Sequence, residues 1–161
     1  MRAAFVDPGV AIDPIAEAFV VNASRAQHVA EVIEPALASG AWVFCDRFAD
    51  ATLAYQGYGR GVDLGVLRTL AAIATRGRAP DLTFLVDVPV ALSRRRVAAR
   101  SAERGVAIDR LEREDAAFHA RVRDGYLELA RGDARFAVLD GSLAPQAVAD
   151  AALAALTAKF G

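Results

Sequence analysis

The stretch A-W-V-F-C-D-R-F-A-D-A-T-L-A-Y-Q-G-Y-G-R-G, Ala41 to Gly61, decides the architecture. Its first residues, Ala41 to Cys45, are a short apolar run closed by Asp46 and Arg47, the pattern of a strand buried on both faces in a parallel sheet. The part rich in Gly57, Gly59 and Gly61 reads as a loop. On either side the spacing becomes helical. Upstream, Asp13 and Pro14 read as N-cap and first helical residue, followed by Ile15, Phe19, Ala26, Ala30, Val32 and Ile33 at helical spacing as far as Gly40, with a kink expected at Pro35. Downstream, Asp63 caps a helix carrying Leu64, Leu67, Leu70 and Ile73, stopped by Gly77 and Pro80. Leu82 to Val88 repeats the buried-strand pattern, and Pro89 opens a helix into the arginine-rich stretch Arg94 to Arg104. Gly105 to Asp109 breaks it, and a long helix is expected from Arg110 to about Ala130, with Phe118, Val122, Tyr126 and Leu129 on one stripe. Phe136 to Leu139 reads as a third strand and Pro145 to Phe160 as a terminal helix. Strands separated by helices of about ten residues or more mean parallel β/α units rather than hairpins, so the fold class is α/β.

Composition sets the limits. The 161 residues, 55% of them hydrophobic, amount to a single domain over 1–161 with no repeat or low-complexity linker. Nineteen basic residues against 20 acidic ones give no cationic excess for a nucleic-acid backbone, and no apolar run approaches the roughly 18 residues of a membrane span. The single cysteine, Cys45, and the lack of any Cys or His cluster at metal-ligand spacing point to a reducing compartment and no protein-held metal. With no leader-like start at Met1 and Arg2, the expected location is the cytoplasm. Of the basic residues, 18 are arginines; the one lysine, Lys159, is far from any glycine-rich loop.

In open α/β sheets ligands bind beyond the carboxyl ends of the strands, which directs attention to Asp46, Arg47 and Phe48. An Asp-Arg pair alone also serves simply to close a strand end. The longer string from Asp46 to Gly61, with R-A-Q-H from Arg25 to His28, carries more: it closely resembles the bacterial thymidylate kinases, whose diagnostic string is D-R-[FHY]-x-x-S-x-x-A-Y-Q-G preceded by F-x-x-x-R. The likeness continues through P-D-L-T-F-L-V-D-V (Pro80 to Val88), an arginine-rich lid at about 94–110 leading into D-R-L-E (Asp109 to Glu112), and F-x(7)-Y (Phe118 to Tyr126).

The resemblance implies a P-loop nucleoside monophosphate kinase-like parallel sheet with flanking helices, and transfer of a phosphoryl group from ATP to dTMP with Mg²⁺, in a cytoplasmic homodimer that binds neither nucleic acid nor membrane. It assigns Arg47 to the dTMP phosphate, which a guanidinium grips two oxygens at a time, and Asp46 to orienting that group. Arg25 is implied as donor to thymine O4, Thr52 as the group facing N3, Tyr55 as the ring excluding a 2′-hydroxyl, Gln56 as a further substrate contact and Glu112 as a contact on the 3′ side of the sugar. Arg94 and Arg100 fall to ATP, and Arg104 to the charge of the transferring phosphoryl group. Each has a plainer reading: the arginines as a solvated helix face, Tyr55 as packing, Glu112 as an acid in the first turn of a helix.

The sequence departs from the family pattern in several places. The family opens with strand, G-x-x-x-x-G-K-[ST] loop and helix, the phosphate cradle for ATP, and no such string occurs in this sequence. Met1 to Asp7 instead matches the family's second helix. The expectation is therefore a domain missing its first βαβ unit, inactive in transfer as it stands, with Ala41 to Cys45 and Leu82 to Val88 deprived of the strand that would separate them. The ring expected four residues before Arg25 is Val21, and the serine of D-R-x-x-x-S is Ala51. Those two changes favour an alternative, a non-catalytic relative acting as a regulatory or structural dimer partner. Another P-loop kinase of deoxynucleosides or nucleotides is a further reading, against which the A-Y-Q-G-Y-G-R-G continuation argues.

Overall fold

The computed structural model describes residues 11–105 and 107–161. The chain forms two compact units, Met1–Ala79 and Pro80–Gly161. The expected match of Met1 to Asp7 to a family helix lies outside the described residues.

In the first unit, helix α1 (Pro14–His28) starts as its sequence dictates: the Asp13 side chain accepts from the amides of Ile15 (2.9 Å) and Ala16 (3.3 Å), and Pro14 occupies the first turn, where no amide is needed. The buried side differs in part from the expected one. Ile33 is buried as expected, but Phe19 is 56% and Val32 52% exposed, and Ala18, Asn22 and Val29 are buried instead. The helix packs on α4 (Leu64–Thr75), whose own buried stripe is Leu67, Ala71 and Ala74, while Ile73 faces out. The buried positions of both helices include small residues, Ala18 on one and Ala71 and Ala74 on the other, which suit a close helix–helix contact. Pro35 has no amide, and its ring crowds the Glu31 carbonyl; the ladder widens into a π-helical turn, Val29–Ile33, before α2 (Glu34–Ala38). Gly40, at φ +79°, then closes the helix with a pair of bonds, Gly40 N to Leu37 O and Ala41 N to Ala36 O, both 3.0 Å.

Ala41 to Cys45 is not a buried strand. The segment joins no ladder, and Trp42 and Phe44 stand 61% and 75% exposed, stacked on each other at 6.4 Å. An apolar extended run forms a strand only when a neighbouring strand takes up its backbone groups, and among the described residues none does. The expected glycine loop is also corrected. Helix α3 (Ala49–Thr52) continues directly as a π-helical segment, Leu53–Gly59. Gly57 is there for proximity: a Cβ on it would lie 2.5 Å from Leu64 Cδ2 and 3.2 Å from Leu67 Cδ1. Asp63 caps α4 by accepting from Val66 N at 2.9 Å. That helix ends on Arg76, not on Gly77 alone: Arg76 is left-handed at φ +54°, with its guanidinium on Glu34 at 2.6 Å.

In the second unit, β1 (Thr83–Asp87) and β2 (Phe136–Asp140) pair in parallel, Thr83 against Phe136 through Asp87 against Asp140. The expected parallel α/β pattern is present, with two strands rather than three in the ladder among the described residues. Neither strand is buried on both faces. Val86 and Val138 are 50% and 53% exposed, since a two-stranded sheet has too few neighbours to cover it. Helix α5 (Val90–Arg104) follows Pro89 and ends at the left-handed Gly105. The next helix, α6, spans Ala116–Arg131 and does not begin at Arg110. Asp115 is its cap, accepting from Phe118 N at 2.6 Å, whereas Asp109 and Glu112 tie the preceding residues into a turn through each other's amides. Glu112 is thus no first-turn acid of that helix. Phe118, Val122 and Leu139 are buried, and α7 (Pro145–Phe160) completes the unit. Arg123 binds Asp87 with two bonds of 2.6 and 2.8 Å, and that pairing pushes its guanidinium pKa further up.

Gly141 follows β2 where a side chain has no room: a Cβ would lie 2.5 Å from Val88 Cγ2, 2.7 Å from Val86 Cγ1 and 3.0 Å from the Asp87 carbonyl oxygen. Its amide donates to Asp87 O at 2.8 Å and its carbonyl accepts from Arg96 at 2.7 Å, so the backbone is held in place. Gly141→Ala is expected to destabilise the chain by about 1–3 kcal/mol, read as a lowered urea midpoint at unchanged slope.

Candidate functional site

Two adjacent stripes of α1 build the site. Ala18, Asn22, Arg25 and Val29 fall at i, i+4, i+7 and i+11, and so do Glu17, Val21, Ser24 and His28. Val21, Ser24, Arg25 and His28 form one wall of a cleft of about 180 Å³; Arg47 and Phe48 form the other. Small-molecule sites usually begin at roughly 300 Å³, so this cleft has the size of one end of a nucleotide site.

Arg25 is fixed before any ligand arrives. One terminal nitrogen donates to Asn22 Oδ1 at 2.7 Å; the other donates to the Phe48 carbonyl at 2.9 Å and to Thr52 Oγ1 at 2.8 Å. Its guanidinium also lies 5.8 Å from the centre of the Phe48 ring. Thr52, 1% exposed, is thereby an internal partner of Arg25. Arg47 contrasts with it: exposed, on a left-handed backbone at φ +66°, with its guanidinium 4.9 Å over the Tyr55 ring and one nitrogen donating to Tyr55 Oη at 3.2 Å. A left-handed arginine carries backbone strain, which such positions usually retain for function. Asp46 beside it is exposed. Desolvation pushes the Cys45 thiol pKa up, against the pull of Arg25, and Asp46 adds to the rise, which disfavours the thiolate.

The expected residues of the first unit therefore gather in two groups, Arg25 with Thr52 and Arg47 with Tyr55. Gln56 lies apart from them in the interior, 2% exposed, where its amide donates to a carboxylate oxygen of Glu17. In the second unit Arg94 and Arg104 are exposed on α5, and Arg100 is paired with Glu112. Sequence reasoning missed Glu17, Asn22, Ser24 and His28. Counting the helical repeat backward and forward from Val21 and Arg25 would have found all four. Among the described residues no group of three or more His, Cys, Asp or Glu side chains is placed to hold a metal ion, and no helix is long and apolar enough to cross a membrane.

The cleft of the first unit offers two guanidinium groups and the aromatic ring of Phe48, groups suited to an anion and to a flat ring. Comparison with known proteins narrows the class. The thymidylate kinase family model matches residues 1–152. The thymidylate kinase of Carboxydothermus hydrogenoformans is 48% identical over 148 residues, which is 92% of this chain and 70% of that protein. That of Solidesulfovibrio magneticus is 52% identical over 143 residues (87% and 68%), and that of Geobacter sulfurreducens 49% identical over 154 (94% and 72%). The chain belongs to the thymidylate kinase family, and with it to the P-loop nucleoside monophosphate kinases in fold.

Proposed function

We propose that the chain is the dTMP-binding and lid-bearing part of a thymidylate kinase, which transfers the γ-phosphoryl group of ATP to a phosphate oxygen of dTMP to give dTDP and ADP. The observation that carries this reading is the strained, exposed Arg47 beside Tyr55 at a cleft whose opposite wall holds the pre-bonded Arg25. A phosphate placed at Arg47 receives two parallel N–H bonds, Asp46 orients that contact, and the Tyr55 ring fills the space a 2′-hydroxyl would need. Arg25, held in the cleft wall by Thr52 and the Phe48 carbonyl, is assigned to a pyrimidine carbonyl. Arg94 and Arg100 are assigned to ATP and Arg104 to the transferring group, within a lid at about 94–110; Glu112 and Gln56 complete the assignment as substrate residues, Gln56 acting from behind the cleft wall. ATP enters as its Mg²⁺ complex.

Transfer needs a phosphate cradle that this sequence does not contain, and Ala41 to Cys45, apolar and in no ladder among the described residues, suits a strand completed by a partner. The active protein is accordingly proposed to include a further βαβ unit carrying the P-loop, in one domain with residues 1–161, and to work as a cytoplasmic homodimer. Phe19 and Val32, 56% and 52% exposed, are apolar side chains that a second copy would cover.

A second reading, a non-catalytic partner subunit, is favoured by Val21 in the cleft wall and by Ala51. Titration calorimetry decides between them. The kinase reading expects dTMP to bind, the ribose analogue to bind more weakly, and Val21→Phe to tighten dTMP by the aromatic increment of about 0.5–1.5 kcal/mol, up to about tenfold. No heat with dTMP in either version leaves only the partner reading.

A further inference from the structure

We propose that Glu17 is a positioning residue of the nucleotide cleft, acting through Gln56 to hold Tyr55 in the orientation that selects the sugar; this rests on the kinase reading above. Glu17 is 0% exposed, a rare state for a carboxylate, and it lies 39 residues from Gln56, whose amide donates to Oε1. Arg60 approaches Oε2 at 3.6 Å, its own side chain 18% exposed. A buried carboxylate held in this way fixes whatever carries its partners.

What carries them is the segment that follows Phe48, one of the two residues on the opposite side of the cleft. Thr52, Gln56 and Arg60 follow one another at i, i+4 and i+8 along α3 and its π-helical continuation. Arg25 grips Thr52, and Glu17 grips Gln56 and Arg60. Helix α1 is therefore tied at two levels to the segment behind that side of the cleft. Arg25 is part of the cleft, whereas Glu17 sits one turn beyond Val21 on the stripe that continues as Ser24 and His28. Tyr55 lies between the two ties, adjacent in sequence to Gln56, on a π-helical turn, a rare geometry found frequently at functional sites. Without the Glu17 tie, that turn loses the polar contact that fixes Gln56, and the neighbouring Tyr55 ring is held less firmly against Arg47.

Reversing the pair tests this in the 161-residue chain, with dTMP and its ribose analogue titrated by calorimetry and folding checked by circular dichroism. Gln56→Glu sets two carboxylates against each other; dTMP binding is expected to weaken about tenfold, and the preference for deoxyribose over ribose to fall with it. The double variant E17Q/Q56E restores the hydrogen bond with its direction reversed and moves the carboxylate to position 56, one turn from Arg60; affinity and preference are expected to return to within about threefold of the original. A residue of purely structural importance would lower the unfolding midpoint and leave both quantities unchanged in the folded protein. Unchanged affinity and preference in a folded Q56E, or no recovery in E17Q/Q56E, overturns the proposal. Should Q56E not fold, Gln56→Met removes the donor without adding charge and carries the same expectation. If the unaltered chain binds neither nucleotide, the kinase reading falls and takes this one with it; if it binds dTMP and no variant differs, this one alone falls.

Discussion

Replacing Arg47 by alanine is expected to abolish useful dTMP binding. The guanidinium is the exposed cation at the cleft mouth, and a phosphate that loses its bidentate partner keeps the cost of leaving water without the return. Truncating one side of such a charge pair costs about 2–5 kcal/mol, a loss of roughly 30-fold at the least. Lysine at 47 should recover little, because a single ammonium cannot make two parallel bonds to one phosphate. The backbone supplies the control that separates function from structure. Arg47 sits at φ +66°, a conformation costing an L-residue roughly 1–2 kcal/mol and glycine almost nothing. Arg47→Gly is therefore expected to leave thermal stability equal or higher while binding is lost as completely as in Arg47→Ala. Stability falling in step with binding in the glycine variant would make Arg47 a structural residue, its bond to Tyr55 Oη being part of the fold.

Much of this was legible in the sequence, for reasons that can be named. Asp13–Pro14, Asp63 and Pro145 act within one turn of their own position, so these starts appear where the local chemistry puts them. The strand at Thr83–Asp87 could be read because its partner, Phe136–Asp140, is in the same unit. Ala41 to Cys45 has the same apolar content and forms no strand, because a strand is a property of two segments and a sequence run shows only one. Gly57 read as a loop signal, yet it permits close contact with Leu64 and Leu67 inside a helical segment; glycine spacing alone does not distinguish a turn from a tight approach. At the site, Arg25, Arg47, Thr52 and Tyr55 were legible through family resemblance and come together in two groups. Glu17 was not: nothing local marks a glutamate as buried, and its significance lies in a contact with Gln56 across the unit.

Joining a strand, a G-x-x-x-x-G-K-[ST] loop and a helix ahead of the chain is expected to give phosphoryl transfer from ATP to dTMP where the 161 residues alone give none, a difference of several orders of magnitude. The loop amides and the lysine cradle the ATP phosphates in a way that no residue here can imitate, since Lys159 is the one lysine and stands in the last turn of α7. The effect on structure can be read separately from activity. A strand pairing with Ala41 to Cys45 takes up its backbone groups and covers its side chains. Trp42, the single tryptophan, is now 61% exposed against Phe44, and is expected to shift its emission to the blue and become less accessible to a soluble quencher. Replacing the loop lysine by alanine in the joined protein should remove transfer and leave the Trp42 shift in place, because the strand is still there. Transfer without a Trp42 shift would mean that the added strand lies elsewhere. A shift without transfer, given an intact loop and bound dTMP, would show the cleft built but not competent, and would hand the function to the non-catalytic partner that Val21 and Ala51 favour.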